Sequence, residues 1–210
     1  SFVSSTLLAG VDNDVVIFSS SLGGGNLISL GSGNDLATFS STVSSAAIYG
    51  GADNDTLWFG STVTNATVDA GTGLDKLVFT GVVSGTTISG GTSDITFTDA
   101  GDTVVFKALG YGTTINFSAG SNLASFDNTV TAASIVGGSG NDTLAFGAAV
   151  LSATKVYAGE GVDRLTFAST TDAVISGVYS AGEYVAFTGG AQVSALFSDA
   201  TISGSTIQGG

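Results

Sequence analysis

The sequence predicts an all-β protein, a parallel β-solenoid of about 10 coils with about 20 residues per coil. Three observations carry this: a five-residue unit ending in Phe recurs at near-constant spacing, a weaker apolar unit lies between its copies, and the 210 residues contain no Pro. A Pro-free chain suits a stack in which internal strands donate and accept hydrogen bonds on both sides.

The first unit, acidic-x-apolar-x-Phe, runs from Asp14 to Phe18, Asp35 to Phe39, Asp55 to Phe59, Asp75 to Phe79, Asp102 to Phe106, Asp142 to Phe146, Asp163 to Phe167 and Glu183 to Phe187. Asn122 to Phe126 carries an amide in the acidic place, and Asp94 to Phe97 is one residue short. The Phe positions step by 21, 20, 20, 18, 9, 20, 20, 21 and 20 residues. Side chains alternate along a strand, so Leu57 with Phe59, Leu77 with Phe79, Leu144 with Phe146 and Leu165 with Phe167 are expected to stack as columns inside the coil. The second unit, Val-x-x-Ala/Thr-x-Ile/Val, appears as Val43, Ala46, Ile48; Val63, Ala66, Val68; Val83, Thr86, Ile88; and Val130, Ala133, Ile135. Two strands and two turns then make one coil, and about ten coils at ~4.8 Å each make a rod about 50 Å long.

No linker is visible, so residues 1–210 read as one continuous solenoid with a repeat-phase break near residues 90–106. The step of 9 from Phe97 to Phe106 is half a coil. It predicts that the acidic turns move to the opposite edge near residues 98–106; a bulge of seven residues that keeps the edge is the alternative.

Composition excludes much chemistry. With no His and no Cys there is no Ser-His-Asp triad, no thiol nucleophile and no usual zinc, haem or iron–sulfur ligand set. Only 4 basic residues face 17 acidic ones, for a net charge of −13, which disfavours nucleic-acid binding. No apolar run approaches the roughly 18 residues of a membrane-spanning helix. Paired carboxylates such as Asp53 and Asp55 sit on a repeating turn rather than in a unique pocket, so no enzymatic activity is expected. The missing initiator Met suggests a processed chain or a piece of a longer one, and the absence of Cys fits a secreted protein that manages without disulfides.

The acids are concentrated in Gly-rich turns before the Phe strands: Gly31 to Asp35, Gly50 to Asp55, Gly71 to Asp75, Gly137 to Asp142 and Gly159 to Asp163. Equivalent residues of successive coils stack at about 4.8 Å, where two unit charges repel by roughly 0.9 kcal/mol in water and about 3.5 kcal/mol at an effective dielectric of 20. Something positive must stand between such rungs, and four basic side chains cannot supply it. Carboxylate, amide and carbonyl oxygens without nitrogen or sulfur favour a hard cation, Ca²⁺ ahead of Mg²⁺. Ordinary tight-turn chemistry explains any single Gly-Asn-Asp run equally well; a register of five or more points to the metal.

Gly137 to Ala145, Gly-Gly-Ser-Gly-Asn-Asp-Thr-Leu-Ala, resembles the calcium-binding nonapeptide of RTX (repeats-in-toxin) proteins, and the turns at 31–35, 50–55, 71–75 and 158–163 are close variants. The resemblance implies an RTX-like β-roll, type I secretion to the outside of a bacterial cell, and several Ca²⁺ ions held by turn carbonyls and aspartates of adjacent coils. The implied ligands are Asp14, Asp35, Asp55, Asp75, Asp142 and Asp163, with Asp94 and Asp102 following the same pattern less closely; Asp53 is a further candidate metal ligand in its turn. The chain departs from the family in placing acids on one turn per coil only, so one edge of each coil is expected to bind, with Asn122 and Glu183 as weak or empty rungs.

The expected function is a secreted structural protein, a surface-layer, matrix or filament subunit. A calcium-dependent adhesin or ice-binding solenoid segment, or the calcium-loaded tail of a secreted enzyme, are the alternatives; the ice-binding pattern Gly-Thr-Gly-x-Asp is matched only at Thr72, with Ser32 and Ser139 in its place elsewhere. Self-association is expected laterally through a face carrying Leu36, Trp58, Val78, Val105 and Tyr184, and end to end, because Thr201 to Ile207 keep the repeat style without a polar cap.

Overall fold

Inward-facing apolar residues at every second position cannot be buried by one strand; they are buried when coils stack and close around them. The computed structural model describes residues 4–151, 153–170, 173–176, 183–189, 195–198 and 206–208, so the segment 201–205 lies outside it. Among the described residues there is no helix, and the chain winds between two parallel sheets. Sheet 1 runs in order through Thr6–Gly10, Leu27–Ser32, Ala47–Ala52, Thr67–Thr72, Val83–Gly90, Thr103–Leu109, Leu123–Phe126, Thr143–Val150, Arg164–Thr170, Tyr184–Phe187 and Thr206–Gln208. Sheet 2 runs through Val15–Phe18, Leu36–Phe39, Thr56–Phe59, Leu74–Phe79, Thr92–Ala100, Thr114–Ala119, Ser134–Val136, Lys155–Tyr157, Ala173–Ser176 and Ala195–Ser198. The predicted parallel β-solenoid is the fold.

The core is the one expected from alternation. Leu57, Leu77, Leu144 and Leu165 are at most 1% exposed, and Val43, Ile48, Val63, Val68, Val83, Ile88, Val130 and Ile135 are buried in the same interior. Phe18, Phe39, Phe59 and Phe79 stack almost face to face, with ring centroids 4.6 to 5.1 Å apart.

The edge switch is present. Phe18 to Phe97 lie in sheet 2, whereas Phe106, Phe126, Phe146, Phe167 and Phe187 lie in sheet 1. Phe117, twenty residues after Phe97, extends the sheet 2 column by one further ring at 4.7 Å. Phe106 meets Phe97 and Phe117 edge-on, at 6.3 Å from each and interplanar angles of 83° and 74°. The half-coil step thus carries the Phe strand across the core.

The same crossing corrects the expected lateral face. Leu36, Trp58 and Val78 point outward from sheet 2, but Val105 and Tyr184 point outward from sheet 1, so the five do not form one patch. Even within sheet 2 the outward row is interrupted: Leu36 is followed by Thr56 and Lys76, and Trp58 is preceded by Thr38.

Candidate functional site: two buried acidic ladders

Each acidic turn places its last acid four residues before the Phe, at the corner of the coil and facing inward; it directly precedes the strand except at Asp75, the second residue of Leu74–Phe79. Asp14, Asp35, Asp55 and Asp75 form one ladder along the edge of sheet 2. Asp102, Asn122, Asp142, Asp163 and Glu183 form a second along the edge of sheet 1. Asp35, Asp55, Asp75, Asp102, Asp142 and Asp163 are only 1 to 3% exposed.

One carboxylate oxygen of Asp35, Asp55, Asp75, Asp102, Asp142 and Asp163 is committed to the neighbouring coil. Asp35 Oδ1 accepts the Asp14 N–H at 2.7 Å, Asp55 Oδ1 that of Asp35 at 2.9 Å, and Asp75 Oδ1 that of Asp55 at 3.0 Å. On the other edge Asp102 Oδ1 accepts the Val83 N–H at 2.7 Å, Asp142 Oδ1 that of Asn122 at 2.8 Å, and Asp163 Oδ1 that of Asp142 at 2.9 Å. The Asn before the Asp stitches the outside of the turn: Asn34 Oδ1 accepts the Asn54 N–H at 2.9 Å and Asn54 Oδ1 the Leu74 N–H at 2.8 Å. An Asn-Asp pair therefore ties its turn to both neighbours, the Asp toward the preceding coil and the Asn toward the following one in this first half.

The second oxygen is different. The Oδ2 atoms of Asp14, Asp35, Asp55, Asp75, Asp102, Asp142 and Asp163 are sealed from solvent and accept no hydrogen bond. Asp55 Oδ2 lies so deep in its turn that a Cβ on Gly50 would come within 2.7 Å of it, and one on Gly137 within 2.9 Å of Asp142 Oδ2. A buried acceptor without a partner costs on the order of 1–3 kcal/mol.

Several neutral residues at the same kind of corner show what a donor does there, although Ala46, Ala66 and Ala133, each at most 3% exposed, fill it without one. Asn26 Nδ2 donates to the Gly23 carbonyl at 2.6 Å, Thr86 Oγ1 to Ser84 at 3.4 Å, Ser93 Oγ to Gly91 at 3.2 Å and Thr113 Oγ1 to Gly110 at 3.0 Å. Asn122 Nδ2 donates to Ala119 at 3.2 Å and Gly120 at 2.9 Å. In these five the corner side chain gives a hydrogen to a carbonyl two or three residues earlier, whereas Thr154, at the corner before Lys155, donates to Val130 of the preceding coil at 3.4 Å. A carboxylate has none to give, so at the acidic corners the turn carbonyls receive no hydrogen from the side chain. A partnerless carboxylate oxygen together with turn carbonyls would be a fitting donor set for a hard cation. Among the described residues no three acidic side chains converge on one point, so each carboxylate would meet its ion with backbone oxygens.

Electrostatics records the same deficit. Burial, opposed by the N–H of Asp35 and reinforced by the charges of Asp35, Asp75 and Asp53, pushes Asp55 up to about 6. Burial likewise pushes Asp102, Asp142 and Asp163 up to about 6 and raises Asp75.

Two of the expected ligands stand outside the ladders. Asp53 is exposed on the outside of its turn at φ 73°, where its Oδ2 accepts the Gly33 N–H at 3.2 Å. Asp94 pairs with Lys76 and Thr114 and points to solvent; Ser93 stands on Asp75 instead. Its unit is one residue short, which reverses the parity of the acid relative to Phe97. The neutral corners at Asn26, Ser93 and Thr113 escaped the sequence reading because their chemistry differs, although each sits one residue before a strand start or pairing position like the acids.

Comparison with protein-family models, with curated proteins and with solved structures finds no match to this chain.

Proposed function

We propose that the chain is a secreted structural protein, a β-solenoid rod ordered by calcium and used as a repeating building unit of an extracellular layer, matrix or filament. The observation that carries the reading is the set of seven sealed, partnerless Oδ2 atoms in two stacked ladders. Asp14, Asp35, Asp55 and Asp75 would hold ions on one edge, and Asp102, Asp142 and Asp163 on the other, together with turn carbonyls. The ion supplies positive charge between rungs that otherwise repel, and so converts folding of the turns into a calcium-dependent event.

A repeated site on a regular rod suits scaffolding rather than turnover, and the RTX-like motif at Gly137 to Ala145 supports export as the setting. Assembly runs end to end, strand edge to strand edge, in this reading. The test is electron microscopy and circular dichroism of the purified chain in millimolar CaCl₂ and in chelator. Ordered rods or filaments that lose their order on chelation are expected; spectra and assemblies indifferent to chelator would overturn the reading.

A further inference from the structure

Asn122 differs from every other rung of its ladder. It is 2% exposed and fully engaged: Oδ1 accepts the Asp102 N–H at 3.0 Å, while Nδ2 donates to the carbonyls of Ala119 and Gly120 and, at 3.0 Å, to Asp142 Oδ1. Those three acceptors belong to its own turn and to the carboxylate of the next coil. A cation tying two successive turns together would meet the same kind of groups, turn carbonyls and a carboxylate of the next coil, the latter through its partnerless Oδ2.

We infer that the Asn122 amide takes the place of an ion, making its rung a built-in clamp that holds the coils of Asp102, Asn122 and Asp142 together without calcium. The inference rests on the calcium reading of the aspartate rungs and assigns to one residue the opposite property. Nδ2 brings two hydrogens to a corner where Asp142 and Asp163 bring only lone pairs. The clamp interrupts the second ladder, leaving Asp102 on one side and Asp142 and Asp163 on the other. It also stands one coil beyond the crossing at Phe106, where the stacked Phe column restarts and the first ladder no longer helps. Ion-free rods then keep their middle docked while the first ladder, which has no amide among Asp14, Asp35, Asp55 and Asp75, loosens.

The experiment compares wild type, Asn122→Asp and Asp142→Asn in the full chain. Calcium stoichiometry is read by isothermal titration with CaCl₂, and thermal unfolding is followed in chelator and in calcium. Asn122→Asp should bind one more ion than wild type, melt several degrees lower in chelator, and recover in calcium. Asp142→Asn should bind one ion fewer and melt higher in chelator. If Asn122→Asp gains no ion, or Asp142→Asn is no more stable than wild type in chelator, the clamp is refuted although wild type binds calcium. If wild type itself binds none, the calcium reading falls and takes this inference with it.

Discussion

Acidification should stabilise the ion-free rod and destabilise the calcium-loaded one. In chelator, Asp55, Asp102, Asp142 and Asp163 titrate near 6 in the folded chain, against about 3.8 when exposed in the unfolded one. Between those values the folded state binds more protons, so the stability these carboxyls contribute is complete below about 3.8 and is lost as pH rises through about 6. A proton on Oδ2 would do there what the amide of Asn122 does, donating to the turn. With a full separation near two pH units, each group contributes at most on the order of 3 kcal/mol, and roughly half of that once water screening and sharing among rungs are allowed for. Lowering the pH from about 7.5 to about 5 should therefore raise the melting temperature in chelator by several degrees. With saturating calcium the sign reverses, because protons compete with the ion for the same oxygens. The assay is thermal unfolding by circular dichroism at stepped pH in both buffers. Curves that slope the same way with and without calcium would refute the assignment of the buried oxygens.

Two further predictions concern the scaffold that positions the ladders. Gly51 has φ +123° and its Cβ would run into the Gly31 carbonyl of the coil below, whereas Gly101, at φ +80°, has nothing within 4 Å. Gly51→Ala should cost several kcal/mol and Gly101→Ala only about 1 kcal/mol, measured as the shift in denaturant midpoint; equal costs would show that the turns do not stack this closely. Phe59 lies between Phe39 at 4.8 Å and Phe79 at 4.6 Å and is fully buried, so Phe59→Ala should lose about 3–5 kcal/mol. Phe18, at the end of its column and 8% exposed, should lose less when truncated in the same way.

The fold was legible because a solenoid writes its period directly into the chain: Phe39, Phe59 and Phe79 recur every 20 residues and stack as rings. Even the crossing near residue 100 could be read, from a step of 9 in place of 20. The ladders were legible as edges but not as corners. Sequence spacing put Asp53 beside Asp55 and could not tell that one faces solvent while the other is sealed. Asp94 was misplaced because one missing residue reverses inside and outside, a parity that Ile95 already betrays by being core. Nor does residue type reveal that Ser93, Thr113 and Asn26 occupy corners of the same kind as the aspartates; only their shared hydrogen bond back to a carbonyl does so. The outward row failed as a single face because the crossing that moved Phe106 also moved Val105.

The half-coil crossing has a mechanical consequence. Up to Asp75 the charged seam runs down one flank of the rod; from Asp102 onward it runs down the other, with hydroxyls and aliphatics opposite each. Were both seams to swell as their unscreened carboxylates repelled one another, the two halves would lean in opposite directions. The rod would then take the outline of an S rather than a C, keeping its two tips parallel while its length shortens.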